Sequence, residues 1–135
     1  MTAETIGTID GALALTVQYA KDRIQFGNPI GKYQGVKHPL AEMYVDIEST
    51  KSLLYYAAWA LDDSPAEAPL AVSEAKAFGS VAVTRAGIEA IQLHGAVGYT
   101  AEYDVQLYFR RAKALQISWW NDRYLEELVA ADVLD

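Results

Sequence analysis

Residues 33–62 read YQGVKHPLAEMYVDIESTKSLLYYAAWALD, and their apolar positions recur at steps of three, four and seven residues. The apolar stripe comprises Val36, Leu40, Met43, Ile47, Leu54, Ala58 and Leu61. This period predicts one amphipathic helix, about 45 Å long at 1.5 Å per residue. Pro39 lies in its first turns, where a missing amide hydrogen costs least. So long a helix in a chain of 135 residues predicts a long bundle with few members.

Four further helices are predicted on either side of this segment. They cover residues 2–24, 69–95, about 101–115 and about 119–133, and residues 62–69 form the clearest loop. Thr2 or Thr5 is the expected N-cap of the first helix, with Glu4 near the positive end of its dipole. The third helix carries large apolar residues that include Phe78, Val81 and Ile88. No useful strand alternation occurs, so the predicted fold is all-α: an up-and-down four-helix bundle with additional short C-terminal helices.

Length and composition exclude several classes of protein. Residues 1–135 suffice for one domain, and 52% hydrophobic against 21% charged residues is a globular composition. The absence of cysteine excludes disulfides, thiolate metal sites and cysteine nucleophiles. A net charge of −7 disfavours a nucleic-acid partner. With neither an apolar run of 18 residues nor a signal peptide, we expect no membrane insertion and a cytoplasmic location.

Few residues suggest catalysis by themselves. The two histidines, His38 and His94, are separated by a whole helix, and each is interpreted as a hydrogen-bonded structural residue. No metal site is predicted. Trp119 and Trp120 are interpreted as core or interface packing.

Two local clusters are unusual for a simple bundle. The first, RIQFGNPIG at residues 23–31 followed by Gln34, places an arginine beside a turn between two helices. The guanidinium of Arg23 suits a phosphate, although it could equally complement the C-terminal helix dipole. The second, QLHGAVGY at residues 92–99, has glycines that either bring backbone amides close to a ligand or terminate the helix.

The same clusters carry a resemblance to the acyl-CoA dehydrogenases. The resembling segments are YAKDRIQFGNPIG at 19–31 with YQ at 33–34, LAEM at 40–43, AAW at 57–59, AK at 75–76 and QLHGAVGYT at 92–100. The match is to the C-terminal helical domain of that family and covers nearly the whole chain. The run LYFRRAKA at 107–114 also resembles an actinobacterial branch that includes steroid side-chain acyl-CoA dehydrogenases, some of which are mixed tetramers.

The resemblance implies a site for FAD that is shared between subunits. The residue matching Arg23 reaches the FAD pyrophosphate bound by a neighbouring subunit. The implied site residues are Arg23, Gln25, Phe26, Ile30, Gln34, Gln92, Gly95 and Ala96. Of these, Gln92, Gly95 and Ala96 correspond to contacts with the adenosine part. Ala96 replaces the second glycine of the usual pair, and its methyl group would crowd the approach of the backbone.

The catalytic position departs from the family pattern. Trp119 falls where many members carry the glutamate that removes the α proton of the acyl-CoA, and an indole cannot accept a proton. Two carboxylates are candidates for a replacement base: Asp122, about one helical turn further on, and Glu4 on the first helix. No residue of this chain is therefore assigned as catalytic.

Two functions follow as expectations. In the first, the chain is the C-terminal domain of an FAD-dependent oxidoreductase that desaturates an acyl-CoA and passes electrons to an acceptor. Since the family's N-terminal helical and middle β-domains are absent from the 135 residues, we expect the chain alone to be inactive, to bind no FAD alone and to form a homodimer or mixed tetramer. In the second, suggested by Ala96 and Trp119, it is a non-catalytic assembly module or a partner subunit without the base.

Overall fold

The computed structural model describes residues 1–134, which form five α-helices, two short 3₁₀ helices and one small hairpin. The α-helices are α1 (Thr2–Asp22), α2 (Gln34–Asp63), α3 (Ala68–His94), α4 (Val105–Ile117) and α5 (Asp122–Leu134). The hairpin pairs β1 (Ile24–Gln25) with β2 (Asn28–Pro29), and the 3₁₀ helices cover Ile30–Lys32 and Gly95–Tyr99. The predicted all-α bundle is confirmed, and α2 and α3 begin within one residue of the predicted positions.

Helix α3 lies at the centre of the bundle and packs against α1, α2, α4 and α5. Its buried face consists mainly of small residues: Ala68, Ala71, Ser73, Ala75, Gly79, Ser80, Ala82, Ala86, Gly87 and Ala90. A Cβ atom on Gly87 would lie 3.2 Å from the Cα of Phe109, so α4 approaches the backbone of α3 closely. The large residues Phe78, Val81 and Ile88, by contrast, are 39–51% exposed. Close packing of small residues therefore decides which face of α3 is buried.

The main core lies where α1, α2 and α3 meet α4. Its larger buried side chains are Ile9, Leu13, Met43, Ile47, Val83, Ile91, Val105 and Leu115. A second cluster between α2 and α3 contains only alanines among its fully buried members: Ala57, Ala60, Ala68, Ala71 and Ala75. The predicted stripe of α2 is confirmed at Met43 and Ile47 but is wrong at Ala58 and Leu61, which are exposed. The alanine contacts with α3 bury Ala57 and Ala60 instead.

An ion pair joins α2 to α3 near the middle of the bundle. Asp46 is buried, and Arg85 donates from Nε to its Oδ2 at 2.8 Å and from Nη2 to its Oδ1. The hydrogen bonds to this carboxylate raise the pKa of Arg85 above its ordinary value. A buried carboxylate needs such a partner, because an unpaired charge in the interior would be strongly destabilising.

One predicted N-cap and two predicted helix starts are wrong. Met1, not Thr2 or Thr5, is the N-cap of α1, since the Thr5 hydroxyl donates to the Met1 carbonyl instead of accepting from an amide. Helix α4 begins at Val105, four residues later than predicted. Helix α5 begins at Asp122, not Trp119, because the Asn121 side chain accepts a hydrogen bond from the Tyr124 amide and caps the helix there.

Two glycines of α1 provide a matched test of the packing with α4. A Cβ atom on Gly11 would lie 2.4 Å from the ring of Tyr108, whereas one on Gly7 would have nothing within 4 Å. We expect Gly11→Ala to lower the free energy of unfolding by about 1–2 kcal/mol through overpacking. Gly7→Ala should raise it by up to about 1 kcal/mol through helix propensity. Urea unfolding of both variants checks the pair, and equal stabilisation by both would contradict the close packing.

Candidate functional site

The chain leaves α1 through a tight two-residue hairpin. Its loop residues Phe26 and Gly27 have φ of 52° and 76°, the positive values of a type I′ turn. A bulky residue rarely adopts this left-handed conformation, and the Phe26 ring is 90% exposed. The Tyr33 hydroxyl donates to the Gln25 carbonyl at 3.0 Å, and the Tyr33 ring meets the Phe26 ring edge-on at a centroid distance of 6.4 Å. The turn predicted at Gly27 is confirmed, but the flanking strands were missed.

The C-terminus of α3 requires two glycines. Gly95 ends the helix with φ of 66°. Gly98 is buried, and a Cβ atom there would lie 2.7 Å from the Ile91 carbonyl oxygen, so no larger residue fits. Ala96 and Gln92 are exposed at this helix end, and the methyl group of Ala96 therefore faces outward from the chain.

His94 joins the end of α3 to the end of α1. It is 5% exposed, and its Nδ1 lies 2.7 Å from the Ala90 carbonyl oxygen. The Tyr19 ring stacks on the imidazole at a centroid distance of 4.4 Å, and the Tyr19 hydroxyl donates to the His94 carbonyl at 3.3 Å. Tyr103 contacts both rings edge-on at 6.0 Å. The structural interpretation of His94 is confirmed. The same interpretation is wrong for His38, which is exposed, makes no side-chain hydrogen bond within residues 1–134 and lies outside this site.

A groove of about 510 Å³ lies between α1 and the segment that joins α3 to α4. Its lining residues are Leu15, Gln18, Tyr19, Asp22, Arg23, His94, Val97, Glu102, Tyr103, Asp104 and Val105. The groove thus brings Arg23 of the first sequence cluster together with His94 and Val97 of the second. Within residues 1–134 the guanidinium of Arg23 has neither an ion pair nor a hydrogen bond, which leaves it available to an external anion.

Other predicted site residues lie outside this groove. They are Gln25, Phe26, Ile30, Gln34, Gln92, Gly95 and Ala96, and all except the half-buried Ile30 are exposed. They are near two of the groove residues in sequence: Gln25, Phe26, Ile30 and Gln34 follow Arg23, and Gln92, Gly95 and Ala96 flank His94. A ligand larger than the groove would be needed to contact both sets.

The two carboxylates considered as bases are already engaged within the chain. Glu4 accepts hydrogen bonds from Nε of Arg111 at 2.7 Å and from its Nη2. Asp122 accepts from Nε2 of Gln116 at 2.8 Å through Oδ2, while its Oδ1 is buried and has no partner among the residues described. Both arrangements disfavour proton abstraction from a substrate, because a base must reach the reacting atom.

Of the two interpretations of the tryptophan pair, core packing is wrong, and interface packing stays a prediction. Trp119 is 79% exposed and Trp120 is 52% exposed. Trp119 has φ of 75°, so it is, like Phe26, a bulky residue in the left-handed region. It has no aromatic neighbour among residues 1–134, whereas the Trp120 ring stacks on Tyr124 at 6.3 Å.

Sequence reasoning missed a buried lysine. Lys76 of α3 is 7% exposed, and its Nζ donates to Ser80 Oγ at 2.5 Å and to the carbonyls of Leu115 at 3.0 Å and Gln116 at 3.4 Å. Burial lowers the pKa of Lys76, and the charge of Asp122 partly opposes that effect. The sequence feature that could have indicated its burial is the position of Lys76 between Ala75 and Gly79, on the small-residue face of the helix.

Fold and site together define a helical-bundle domain with an anion-accessible arginine at a helix end. A family model described as the acyl-CoA dehydrogenase C-terminal domain matches residues 1–134. The chain therefore belongs to the acyl-CoA dehydrogenase family and corresponds to its C-terminal domain. Within the described residues, no helix is long and apolar enough to cross a membrane.

Similar proteins agree with this assignment. Acyl-CoA dehydrogenase IpdE2 of Mycolicibacterium smegmatis is 40% identical over 112 residues, which cover 83% of this chain and 34% of that protein. Butyryl-CoA dehydrogenase of Megasphaera elsdenii is 32% identical with a TM-score of 0.93, covering 99% of this chain and 35% of that one. A solved FAD-dependent dehydrogenase is 30% identical with a TM-score of 0.93, covering 98% and 36%. This chain spans about a third of the length of these relatives.

The left-handed conformation of Phe26 can be tested by its effect on stability. We expect Phe26→Asn to raise the free energy of unfolding by about 0.5–1 kcal/mol, because asparagine tolerates a left-handed φ better than phenylalanine. Gly27→Ala is the matched control and should lower it by about 1 kcal/mol. Urea denaturation measures both, and a less stable Phe26→Asn variant would show that the edge-on contact of Phe26 with Tyr33 outweighs the backbone strain.

Proposed function

We propose that the chain acts as the C-terminal domain of an FAD-dependent acyl-CoA dehydrogenase and supplies one side of a shared FAD site. The observation that supports this most is the groove that joins the guanidinium of Arg23, which is unpaired within residues 1–134, to the end of α3. Both parts belong to segments that resemble the family's cofactor contacts, and one similar solved structure is described as an FAD-dependent dehydrogenase.

The residues present fit a dinucleotide. Arg23 would hold the diphosphate, since a guanidinium binds two phosphate oxygens at once and this one has no competing partner in residues 1–134. The exposed backbone at Gly95 and Ala96, with Gln92, would contact the adenosine part. Gln25, Phe26, Ile30 and Gln34 would line the side next to the hairpin. When bound, FAD supplies the hydride acceptor for oxidation of the acyl-CoA.

The carboxylates Asp22, Glu102 and Asp104 limit where the diphosphate can lie. They also line the groove, and their negative charge would repel phosphate from its interior. We therefore propose that the diphosphate lies at the Arg23 end of the groove. Since the chain would cover only one side of the dinucleotide, we propose that FAD is retained by the assembly and not by this domain alone.

Proton abstraction is not assigned to this domain. By the resemblance, Trp119 falls at the position of the usual base. Glu4 and Asp122 are engaged by Arg111 and Gln116. We propose that the base lies outside residues 1–134 or that this chain is a partner subunit without one. The second candidate function, a non-catalytic assembly module, is favoured by the same observation at Trp119.

We also propose that this domain contributes to an oligomer interface. Large apolar residues are exposed along α2, α3 and α5, and they include Tyr55, Trp59, Val81, Ile88 and Leu128. Such a surface suits a homodimer or mixed tetramer. We propose an acyl-CoA as substrate and a separate electron acceptor as partner, in the cytoplasm, and the similarity to a mycobacterial relative supports the actinobacterial branch.

Flavin retention by the intact protein from its native host tests the role of Arg23. We expect a yellow wild-type protein, and we expect Arg23→Ala to raise the dissociation constant of FAD about tenfold or more through loss of charged hydrogen bonds. Arg123→Ala is the matched control, because Arg123 is an exposed arginine on α5 outside the groove, and it should leave flavin content unchanged.

The absorbance of bound flavin near its visible maximum, measured after dialysis, gives the result. Unchanged flavin content in Arg23→Ala would contradict the proposed contact. A colourless wild-type assembly would favour the non-catalytic module.

A further inference from the structure

We propose that Lys76 is the positioning residue for the indole loop, defined as residues 118–121 with Trp119 and Trp120 at its centre. The contacts that carry this inference lie within the chain itself. It rests on the proposed function only for the statement that the loop faces the substrate side of the site. Lys76 does not touch the loop residues and would act on them through the end of α4.

Lys76 holds the C-terminus of α4 from a neighbouring helix. The last carbonyls of a helix lack intrahelical partners, and the carbonyls of Leu115 and Gln116 accept hydrogen bonds from Lys76 Nζ instead. With Ser80 Oγ as third acceptor, all three hydrogens of the ammonium group have partners. No other lysine or arginine in residues 1–134 is buried, so this cation serves a specific local arrangement.

Further side-chain contacts hold the far end of the loop. Gln116 donates from Nε2 to Asp122 Oδ2 at 2.8 Å, and its Oε1 accepts from Lys113 Nζ at 2.7 Å. Asn121 caps the first turn of α5 by accepting from the Tyr124 amide at 2.9 Å. The indole loop is therefore a short connection between two helix ends, each of which is fixed by side chains.

Trp119 has a strained conformation that these contacts maintain. The Trp120 amide donates to the Ser118 carbonyl at 3.2 Å across Trp119, whose φ is 75°. A bond between residues i and i+2 around a positive φ is the rare, strained form of γ-turn. Such strain persists only where the surroundings impose it. Without the Lys76 bonds the last turn of α4 would loosen, and Trp119 would relax to a negative φ.

The consequence is a fixed direction for the exposed indoles. The Trp119 ring is not held by stacking, so its direction depends on the backbone beneath it. At the position that the resemblance assigns to the catalytic carboxylate, a fixed indole would present a rigid apolar face. Lys76 thereby shapes the site without contacting the ligand.

Fluorine NMR of the chain labelled with 5-fluorotryptophan tests this role. The chain has three tryptophans, and Trp59 on α2 serves as the internal control. We expect one sharp resonance from each indole in the wild type, assigned with Trp→Phe variants. In Lys76→Met the Trp119 and Trp120 resonances should shift or split, while the Trp59 resonance stays unchanged.

Ser80→Ala is the matched control, because it removes a partner of Lys76 that is not attached to the loop. All three resonances should keep their wild-type positions in this variant. Trp119 and Trp120 resonances that superimpose on the wild type in Lys76→Met would overturn the proposal. Equal changes at all three indoles in a folded Lys76→Met protein would also overturn it, since they would indicate a general packing role.

A second variant covers the case in which Lys76→Met does not fold. Lys76→Gln keeps a buried donor but is one bond shorter, so it cannot retain both carbonyl contacts, and the same selective change at Trp119 and Trp120 is expected. No flavin is present in these measurements, so their outcome is separate from that of the Arg23 test. A selective change at Trp119 and Trp120, found together with unchanged flavin content in Arg23→Ala, would contradict the flavin contact but support the role of Lys76.

Discussion

The close approach of neighbouring helices to α3 is the constraint on which the rest of the structure depends. The buried face of α3 is built from alanine, glycine and serine, and hypothetical Cβ atoms on Gly79 and Gly87 would come within 3.2–3.3 Å of Thr50 and Phe109. Small side chains permit the neighbouring helices to approach α3 this closely, and the close packing leaves them little freedom to shift. The large apolar residues of the same helix remain outside, where they are available to a partner.

Two separate regions of this central helix carry parts of the proposed site. At its C-terminus, His94 stacks on Tyr19 and brings the end of α1, with Arg23, to the same groove. Toward its N-terminal half, Lys76 reaches the end of α4 and the loop that follows. A rigid α3 therefore fixes the relative position of two regions about 18 residues apart along one helix, roughly 27 Å at 1.5 Å per residue. Phe26 and Trp119, the two bulky residues with positive φ, occur in the segments next to these regions.

Much of the fold could be predicted from periodicity, and the errors have physical causes. Helix α2 was found because one stripe runs through most of it, but its last turns were assigned the wrong face, since alanine packing buries Ala57 and Ala60 in place of the larger Leu61. Two-residue strands show no alternation, so the hairpin was missed. The meeting of Arg23 with His94 depends on residues 71 positions apart, and only the family resemblance associated them. Lys76 was missed because its partners are backbone carbonyls, which a sequence does not mark.

We propose that this domain contacts a flavin dinucleotide at the groove, where the end of α1 meets the end of α3. The most direct measurement is photolabelling of the intact protein with an FAD analogue whose adenine carries an azide, followed by peptide mapping. We expect label in the peptide that contains Gln92, Gly95 and Ala96. Two results would contradict this contact. Label could be confined to other peptides of this chain, or the intact protein could be labelled only outside this chain.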